Sequence, residues 1–296
     1  MKKNKIVAVV VTYNRKDYLL LCIESLLGQD YNAFDILIID NHSTDGTYGS
    51  ISKYTDEGRV TYIDTGSNLG GAGGFAYGVR EAFRRGYDYL WLMDDDSIPQ
   101  KKALKELLLA GKSINGRFGF LASRVIWKDN SPCKMNIQRK TITNNLTEYK
   151  DNIERVVISS FVSLFLPARV VKRIGIPIKE FFIWTDDWEY TRRISRKYPS
   201  YAVRDSVVVH LTATNTGADI SRDVHERLDR YKYAYRNEVY LYKREGLMGL
   251  MHLLLRTPVH ICRVISRSPD RKLERIGIIL KNTIKGLWFN PDIEYI

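Results

Sequence analysis

Apolar and polar positions in the first hundred residues fall into alternating blocks. Residues 6–11 are an unbroken apolar, mostly β-branched run, the pattern of a parallel strand covered on both faces. Leu19, Leu20, Ile23, Leu26 and Leu27 then recur at helical spacing, and Gly28 stops the pattern. Residues 36–39 predict a second strand, a helix is expected to begin near Thr44 or Asp45, and residues 59–63 predict a third strand. A glycine-rich turn over residues 68–75 leads into a helix carrying Phe75, Val79, Ala82 and Phe83, closed by Gly86. Residues 90–93 form the fourth apolar run. This β-α-β-α-β-α-β order implies an α/β fold, a mostly parallel sheet flanked by helices. Such sheets bind ligands beyond the carboxyl ends of their strands. Polar clusters follow the strands there: Thr12-Tyr13-Asn14-Arg15, the tract from Asp40 to Thr47, the glycines, and Asp94-Asp95-Asp96.

Further along, residues 99–112 predict an amphipathic helix, and the polar tract 128–152 a variable loop or minor hairpin. Residues 156–166 read as a strand followed by a short helix to Gly175. Residues 181–184 read as a short apolar strand running into a helix at Asp186-Asp187-Trp188-Glu189, and residues 207–209 as a strand ending at His210. Beyond Arg222 the pattern is helical, and residues 247–267 are apolar on a wide face and basic elsewhere. The expected organisation is a catalytic domain over 1–215 and a basic amphipathic helical region over 216–296.

The 296 residues are 44% hydrophobic, which excludes disordered and collagen-like classes. Net charge is +12, and residues 230–285 alone carry 13 Lys+Arg against 4 Asp+Glu. That excess points to an anionic partner: nucleic acid, a membrane surface or a phosphorylated substrate. The three cysteines are widely spaced, which favours a reduced cytoplasmic setting. The N-terminal apolar run is only six residues and reads as a strand, not a signal peptide. No stretch reaches the roughly 18 apolar residues of a spanning helix, so membrane contact would be peripheral.

On an extended segment, residues i and i+2 point the same way, so Asp94 and Asp96 project together and Asp95 faces elsewhere. Two converging carboxylates repel unless a cation sits between them, and a hard divalent ion suits oxygen ligands. The competing reading is a solvated acidic turn. The glycines could form a flexible loop, or present backbone N–H groups to an anion at a helix start. Asp40 exceeds what a helix cap needs, which suggests contact with a nucleobase or ribose. Asp186 and Glu189 have capping-box spacing, leaving Asp187 spare beside Trp184 and Trp188. A carboxylate against that apolar wall gains basicity, and either indole could stack on a sugar. His210 at a strand end is either structural or a third metal ligand; His42, His225, His252 and His260 are weaker candidates. The basic C-terminal helices are either a solvated face or an attachment to an anionic leaflet.

In this order and spacing, VVVTYNR, IIDNHSTDGT, the glycine stretch, the acidic triplet and DDWE resemble the inverting family 2 glycosyltransferases of the GT-A fold, over roughly residues 5–215. NLGGAGGF with LMDDD, FFIWTDDWEY and a later YAYRN are similar to the bacterial galactofuranosyltransferase branch. Large members of that branch have an added N-terminal β-domain, whereas this chain starts at the first strand, so their acceptor behaviour is not carried over. The resemblance implies that Thr12, Asn14, Arg15 and Asp40 hold the uridine of a UDP-sugar. Asn68, Gly70, Gly71, Gly73 and Gly74, with Asp95, would serve the diphosphate-sugar. Asp94 and Asp96, with His210, would bind Mn2+ or Mg2+, Asp187 would be the base, and Trp184, Trp188 and Asp186 would meet the acceptor. The expected function is transfer of galactofuranose from UDP-galactofuranose to a lipid-linked or polysaccharide acceptor, on the cytoplasmic face of the membrane, with room left for a homo-oligomer.

Three rivals remain at this level. A rhamnosyltransferase using dTDP-rhamnose shares most motifs. A nucleic-acid-binding protein fits the charge, but clustered carboxylates at strand ends would repel phosphates without a metal. A nucleotidyltransferase also pairs carboxylates with Mg2+, but no basic triphosphate loop follows the first strand.

Overall fold

The computed structural model describes residues 4–56 and 58–296. β1 (Ile6–Thr12), β2 (Asp35–Asp40), β3 (Val60–Asp64) and β4 (Tyr89–Asp94) lie parallel in the order β3-β2-β1-β4, connected by α1 (Lys16–Leu27), α2 (Thr47–Asp56) and α3 (Gly70–Arg84). The chain continues through β5 (Ser97–Pro99), α4 (Ala103–Ser113), β6 (Leu121–Ile126), β7 (Ile153–Arg155), β8 (Leu164–Pro167), α5 (Ala168–Ile174), α6 (Asp186–Ser195) and β9 (Tyr201–His210). The nine strands among the described residues join one sheet, β3-β2-β1-β4-β8-β6-β9-β5, with β7 on β9. The half built from β1–β4 is all-parallel. The other half is mixed: β6 and β9 are parallel, while β8 and β5 run antiparallel to their neighbours.

The unbroken apolar run of β1 follows from its burial on both sides. Val7, Val9 and Val11 pack with Phe75 and Val79 of α3, and Ile6, Ala8 and Val10 with Leu19, Ile23 and Leu26 of α1. A strand between two layers of helices has no solvent face on which to alternate.

Several local expectations give way. The glycines are not a turn before α3 but its first turns, and α3 begins at Gly70 itself. Gly74 is where α3 crosses β1: a Cβ there would lie 2.5 Å from the Val11 side chain. α2 begins at Thr47, and Asp45, one of the two expected capping residues, precedes it: its carboxylate accepts from the Thr47 N–H and hydroxyl. Residues 97–99 pair with β9 as an edge strand, which delays α4 to Ala103. Gln29 meets that helix start, its Oε1 accepting from the Leu104 N–H. Of residues 156–166, only 164–166 are strand (in β8); 161–163 are a single helical turn. Residues 181–184 are no strand, since Phe182 and Trp184 both have positive φ. The 128–152 tract is irregular, with isolated bridges such as Arg139 to Asn145.

After β9 the chain forms α7 (Tyr231–Lys243), α8 (Gly246–Arg267) and α9 (Lys272–Trp288). They bury a small cluster around Tyr231, Tyr235, Val264 and Ile279. Among the described residues, no helix is long and apolar enough to cross a membrane.

Candidate active site

Neighbouring parallel strands end in register: Thr12 opposite Asp40, Val11 opposite Asp94, and Asp40 opposite Asp64. Their polar termini therefore share one edge of the sheet. β5 and β9 run antiparallel, pairing Ser97 with His210, and this brings the imidazole to the acidic triplet. Asp94 closes β4, while Asp95 and Asp96 occupy a turn between β4 and β5 and not an extended strand. The side chains nevertheless divide as expected. Asp95 turns inward, accepting from the Thr12 hydroxyl at 2.8 Å and pairing with Arg15 at 3.1 Å. Asp96 pairs with Arg15 at 2.8 Å and with His210 Nε2 at 3.0 Å.

Ligand atoms of Asp94, Asp96 and His210 lie within 4.8 Å of one another. Two carboxylates and an imidazole form a donor set that Mn2+ or Mg2+ accepts. The surroundings fit a cation. His210 Nδ1 lies 2.8 Å from Asn136 Oδ1, an acceptor that keeps the proton on Nδ1 and leaves the Nε2 lone pair for a metal. Burial, then the charge of Asp96, lifts Asp94 to about 6. Burial lifts Asp95 to about 7 against the pull of Arg15. Burial also opposes the charge on His210, but bonds to Asp96 and Cys133 and the charges of Asp96 and Asp94 push it to about 10.

Of the other sequence candidates, Asp40 and Asn14 hold the neighbouring loops and do not line the cavity described next. Asp40 is fully buried; its Oδ1 accepts from the Ser43 N–H and hydroxyl, and its Oδ2 from the Tyr62 hydroxyl at 2.7 Å. Asn14, at φ +52°, accepts from the Thr44 N–H at 2.7 Å and donates its own N–H to Ser43. These bonds fix the loops after β1 and β2 relative to each other, with Asp40 turned away from the cavity described next. Asn68 Oδ1 accepts from the Gly70 N–H at the start of α3. Gly70, Gly73 and Gly74 are closely packed, whereas Gly71 faces the cavity with open space where a Cβ would be. His42 bonds Asp64 on the surface, away from the triad.

A cavity of about 560 Å3 is lined by Arg15, Asp94, Asp96 and His210, by Gly71, and by Trp184, Asp186, Asp187 and Trp188. The capping box expected over Asp186 and Glu189 does not form. Glu189 instead pairs with Arg193 at 2.8 and 2.9 Å, and Thr185 begins the helix in a left-handed conformation without a side-chain cap. Both aspartates are thereby left to the cavity. Asp187 Oδ1 accepts from the Trp188 N–H at 2.7 Å. Burial pushes Asp186 to about 7, and burial plus the charge of Asp186 pushes Asp187 well above the usual carboxylate range. One face of the Trp188 ring is taken by the Arg139 guanidinium, 3.8 Å away, so Trp188 is less free to stack than expected. Trp184 meets Tyr231 edge-on at 5.0 Å.

The cavity is also lined by Tyr235, within the YAYRN motif on α7, and by Glu238 and Arg256 on α7 and α8, which sequence reasoning did not single out. Glu238 and Arg256 form an ion pair there. Asn136 was hidden in a polar tract with no period and no motif; only its distance to His210 reveals it.

A mixed α/β sheet, parallel through β3-β2-β1-β4, with carboxylates and an imidazole gathered beyond its strand ends is the architecture of a nucleotide-sugar-dependent glycosyltransferase. The family model "Glycosyl transferase family 2" matches residues 7–154, half of the sequence, and the chain belongs to that family. It is 27% identical to the galactofuranosyltransferase GlfT1 of Mycobacterium tuberculosis over 272 residues, covering 82% of this chain and 84% of the relative. Among solved structures, Staphylococcus aureus TarS residues 1–349 in complex with UDP-GlcNAc superposes with a TM-score of 0.55 at 14% identity, covering 96% of this chain and 73% of that one. The mannosyltransferase PcManGT from Pyrobaculum calidifontis, in complex with GDP-Man and Mn2+, superposes with a TM-score of 0.60 at 12% identity, covering 97% and 88%. These two similarities establish the GT-A fold.

Proposed function

We propose that the protein transfers galactofuranose from UDP-galactofuranose, with inversion, to a lipid-linked or polysaccharide acceptor at the cytoplasmic face of the membrane. The observation that carries this reading is a single cavity lined by both the Asp94–Asp96–His210 triad and the Asp186–Asp187 pair, close enough for the charge of Asp94 to add to burial in raising both aspartates. Support for the sugar is the similarity to a galactofuranosyltransferase over most of both chains.

Asp94, Asp96 and His210 would hold Mn2+ or Mg2+. When bound, the cation supplies positive charge to the leaving nucleoside diphosphate. The chain's residues do the rest. Arg15, fixed between Asp95 and Asp96, adds a positive charge beside the triad. Asp187 accepts the acceptor hydroxyl proton as that oxygen bonds to the anomeric carbon. The bond from that carbon to the diphosphate oxygen breaks with its electron pair leaving on UDP, and the anomeric centre inverts. Thr12, Asn14, Asp40 and the α3 start would shape the nucleotide side, and Trp184, Trp188 and Asp186 the acceptor side.

A thermal-shift titration with UDP and dTDP, each with Mn2+ or EDTA, tests the donor. UDP with Mn2+ at about 100 times its dissociation constant adds about 2.7 kcal/mol of stability, and EDTA removes the gain. Preference for dTDP would replace galactofuranose by rhamnose in this account, and indifference to both would contradict it.

The region 216–296 we read as the membrane- and acceptor-facing part. On α8, Leu247, Met248, Leu254 and Leu255 are 68–74% exposed, on a chain segment rich in arginine. Sedimentation with vesicles containing about a third phosphatidylglycerol should capture the protein, weakly at high salt, and neutral phosphatidylcholine vesicles should not. Equal capture by both, or by neither, contradicts an anionic-leaflet attachment.

A further inference from the structure

The segment just before Asp186 is held in a shape that its sequence does not favour. Phe182 sits at φ 64° and ψ −58°, and the Ile183 N–H donates to the Phe181 carbonyl at 2.7 Å. That is a γ-turn of the rare, strained hand. Trp184 and Thr185 follow at φ 64° and 70°. Three non-glycine residues with positive φ within four positions do not persist unless the surroundings impose them, and such strain concentrates at functional sites.

One side chain does most of the imposing. Asn237, on α7 and fully buried, directs its Nδ2 at three backbone carbonyls: Phe181 at 2.9 Å, Ile183 at 3.2 Å and Trp184 at 2.9 Å. Its Oδ1 accepts from Arg236 Nε at 3.0 Å and Nη2 at 2.9 Å, which fixes which end of the amide faces the segment. Arg236 also donates to the Glu180 carbonyl. From the opposite side, the Ala72 N–H of α3 donates to the Phe182 carbonyl at 3.1 Å, and Gly70 leaves room for that carbonyl. The Phe182 ring stacks on Tyr233 of α7 at 4.8 Å. The residues that emerge from this clamp, Ile183 to Trp188, all line the cavity.

We propose that Asn237 is a positioning residue for transfer: by gripping the carbonyls of residues 181, 183 and 184, it aims Trp184 and the Asp186–Asp187 pair into the cavity. The inference rests on the assignment of Asp187 as base. It gives a role to the YAYRN motif, whose last residue is Asn237. Asn237 lies outside the cavity lining and touches no reacting atom. Its effect should therefore fall on the rate of the bound complex and not on nucleotide binding.

The test uses the full chain with UDP-galactofuranose and Mn2+, with water as acceptor and UDP release as the signal. Asn237→Ala removes the donors, and Asn237→Asp sets a carboxylate against three carbonyl oxygens. Each should lower kcat about 10²-fold, the scale expected when a catalytic group is misplaced by about an ångström. The dissociation constant of UDP with Mn2+, measured in parallel by calorimetry, should change less than about threefold. Arg236→Ala, which frees the amide without emptying the site, should lower kcat in the same direction by a smaller factor, and it stands in should the Asn237 variants fail to fold. Unchanged kcat overturns the proposal, as does a loss of UDP binding in proportion to kcat, which is what a purely structural role predicts. Wild-type protein that neither binds UDP nor releases it from the donor would instead overturn the underlying functional reading.

Discussion

Asp187→Asn should abolish transfer and leave donor binding intact. The amide oxygen can still accept the Trp188 N–H that Asp187 Oδ1 accepts now, so the first turn of α6 keeps its shape. What disappears is the proton acceptor, and loss of a general base costs about 10²–10⁴-fold in rate. Affinity for UDP with Mn2+ should stay within about threefold, because Asp187 is not one of the three candidate metal ligands. Loss of both would show that Asp187 is a binding residue. The pH profile carries the same assignment. Burial and then the neighbouring Asp186 raise the pKa of Asp187, so its basic form is lost at a higher pH than for an ordinary aspartate. The wild-type rate should rise with pH as Asp187 ionises. Asp186→Asn removes one like charge and should move that rise to lower pH; no movement would mean that the two carboxylates do not sense each other.

The second large effect concerns the metal. Asp96→Asn should eliminate the stabilisation that Mn2+ and UDP confer together, about 2.7 kcal/mol at 100 times the dissociation constant for wild type. Asp96 faces both Arg15 and His210, so its charge holds two cationic groups in place. The pH dependence of the wild type can be signed from its neighbours. Asp94 and Asp95 are raised to about 6 and 7, so their contribution to stability is complete below about pH 4 and is lost as pH rises through 6 to 7. Over the same interval Asp94 becomes available as a ligand. The increment in unfolding temperature produced by Mn2+ should therefore grow from pH 5 to pH 8. An increment independent of pH would remove Asp94 from the ligand set.

Much of this site is written in the sequence because parallel strands enforce it. Once residues 6–11, 36–39 and 90–93 are read as buried strands, in-register pairing places Thr12, Asp40 and Asp94 at one edge. The acidic triplet separates into inward Asp95 and paired Asp94 and Asp96, although a turn and not a strand does the separating. The glycines were legible as a feature but not as a purpose. Gly70 and Gly74 let α3 approach Phe182 and Val11, a requirement set by partners far away in the chain. The β-like appearance of residues 181–184 misleads for a related reason. Their local preference is extended, and distant groups on α7 and α3 override it. Asn136 and Asn237 could not be found by periodicity, since each acts through one buried amide whose partners come from other elements. The +12 charge, which alone admitted a nucleic-acid-binding protein, is concentrated in the helical region, while the polar strand ends lie in the part that the family 2 model matches.

The most direct test is a crystal grown with UDP and Mn2+, with the manganese located by anomalous scattering. The account predicts an anomalous peak between Asp94, Asp96 and His210 Nε2, in contact with the diphosphate, and Asn136 still on His210 Nδ1. UDP bound with manganese elsewhere, or bound with no metal at the triad, would contradict it.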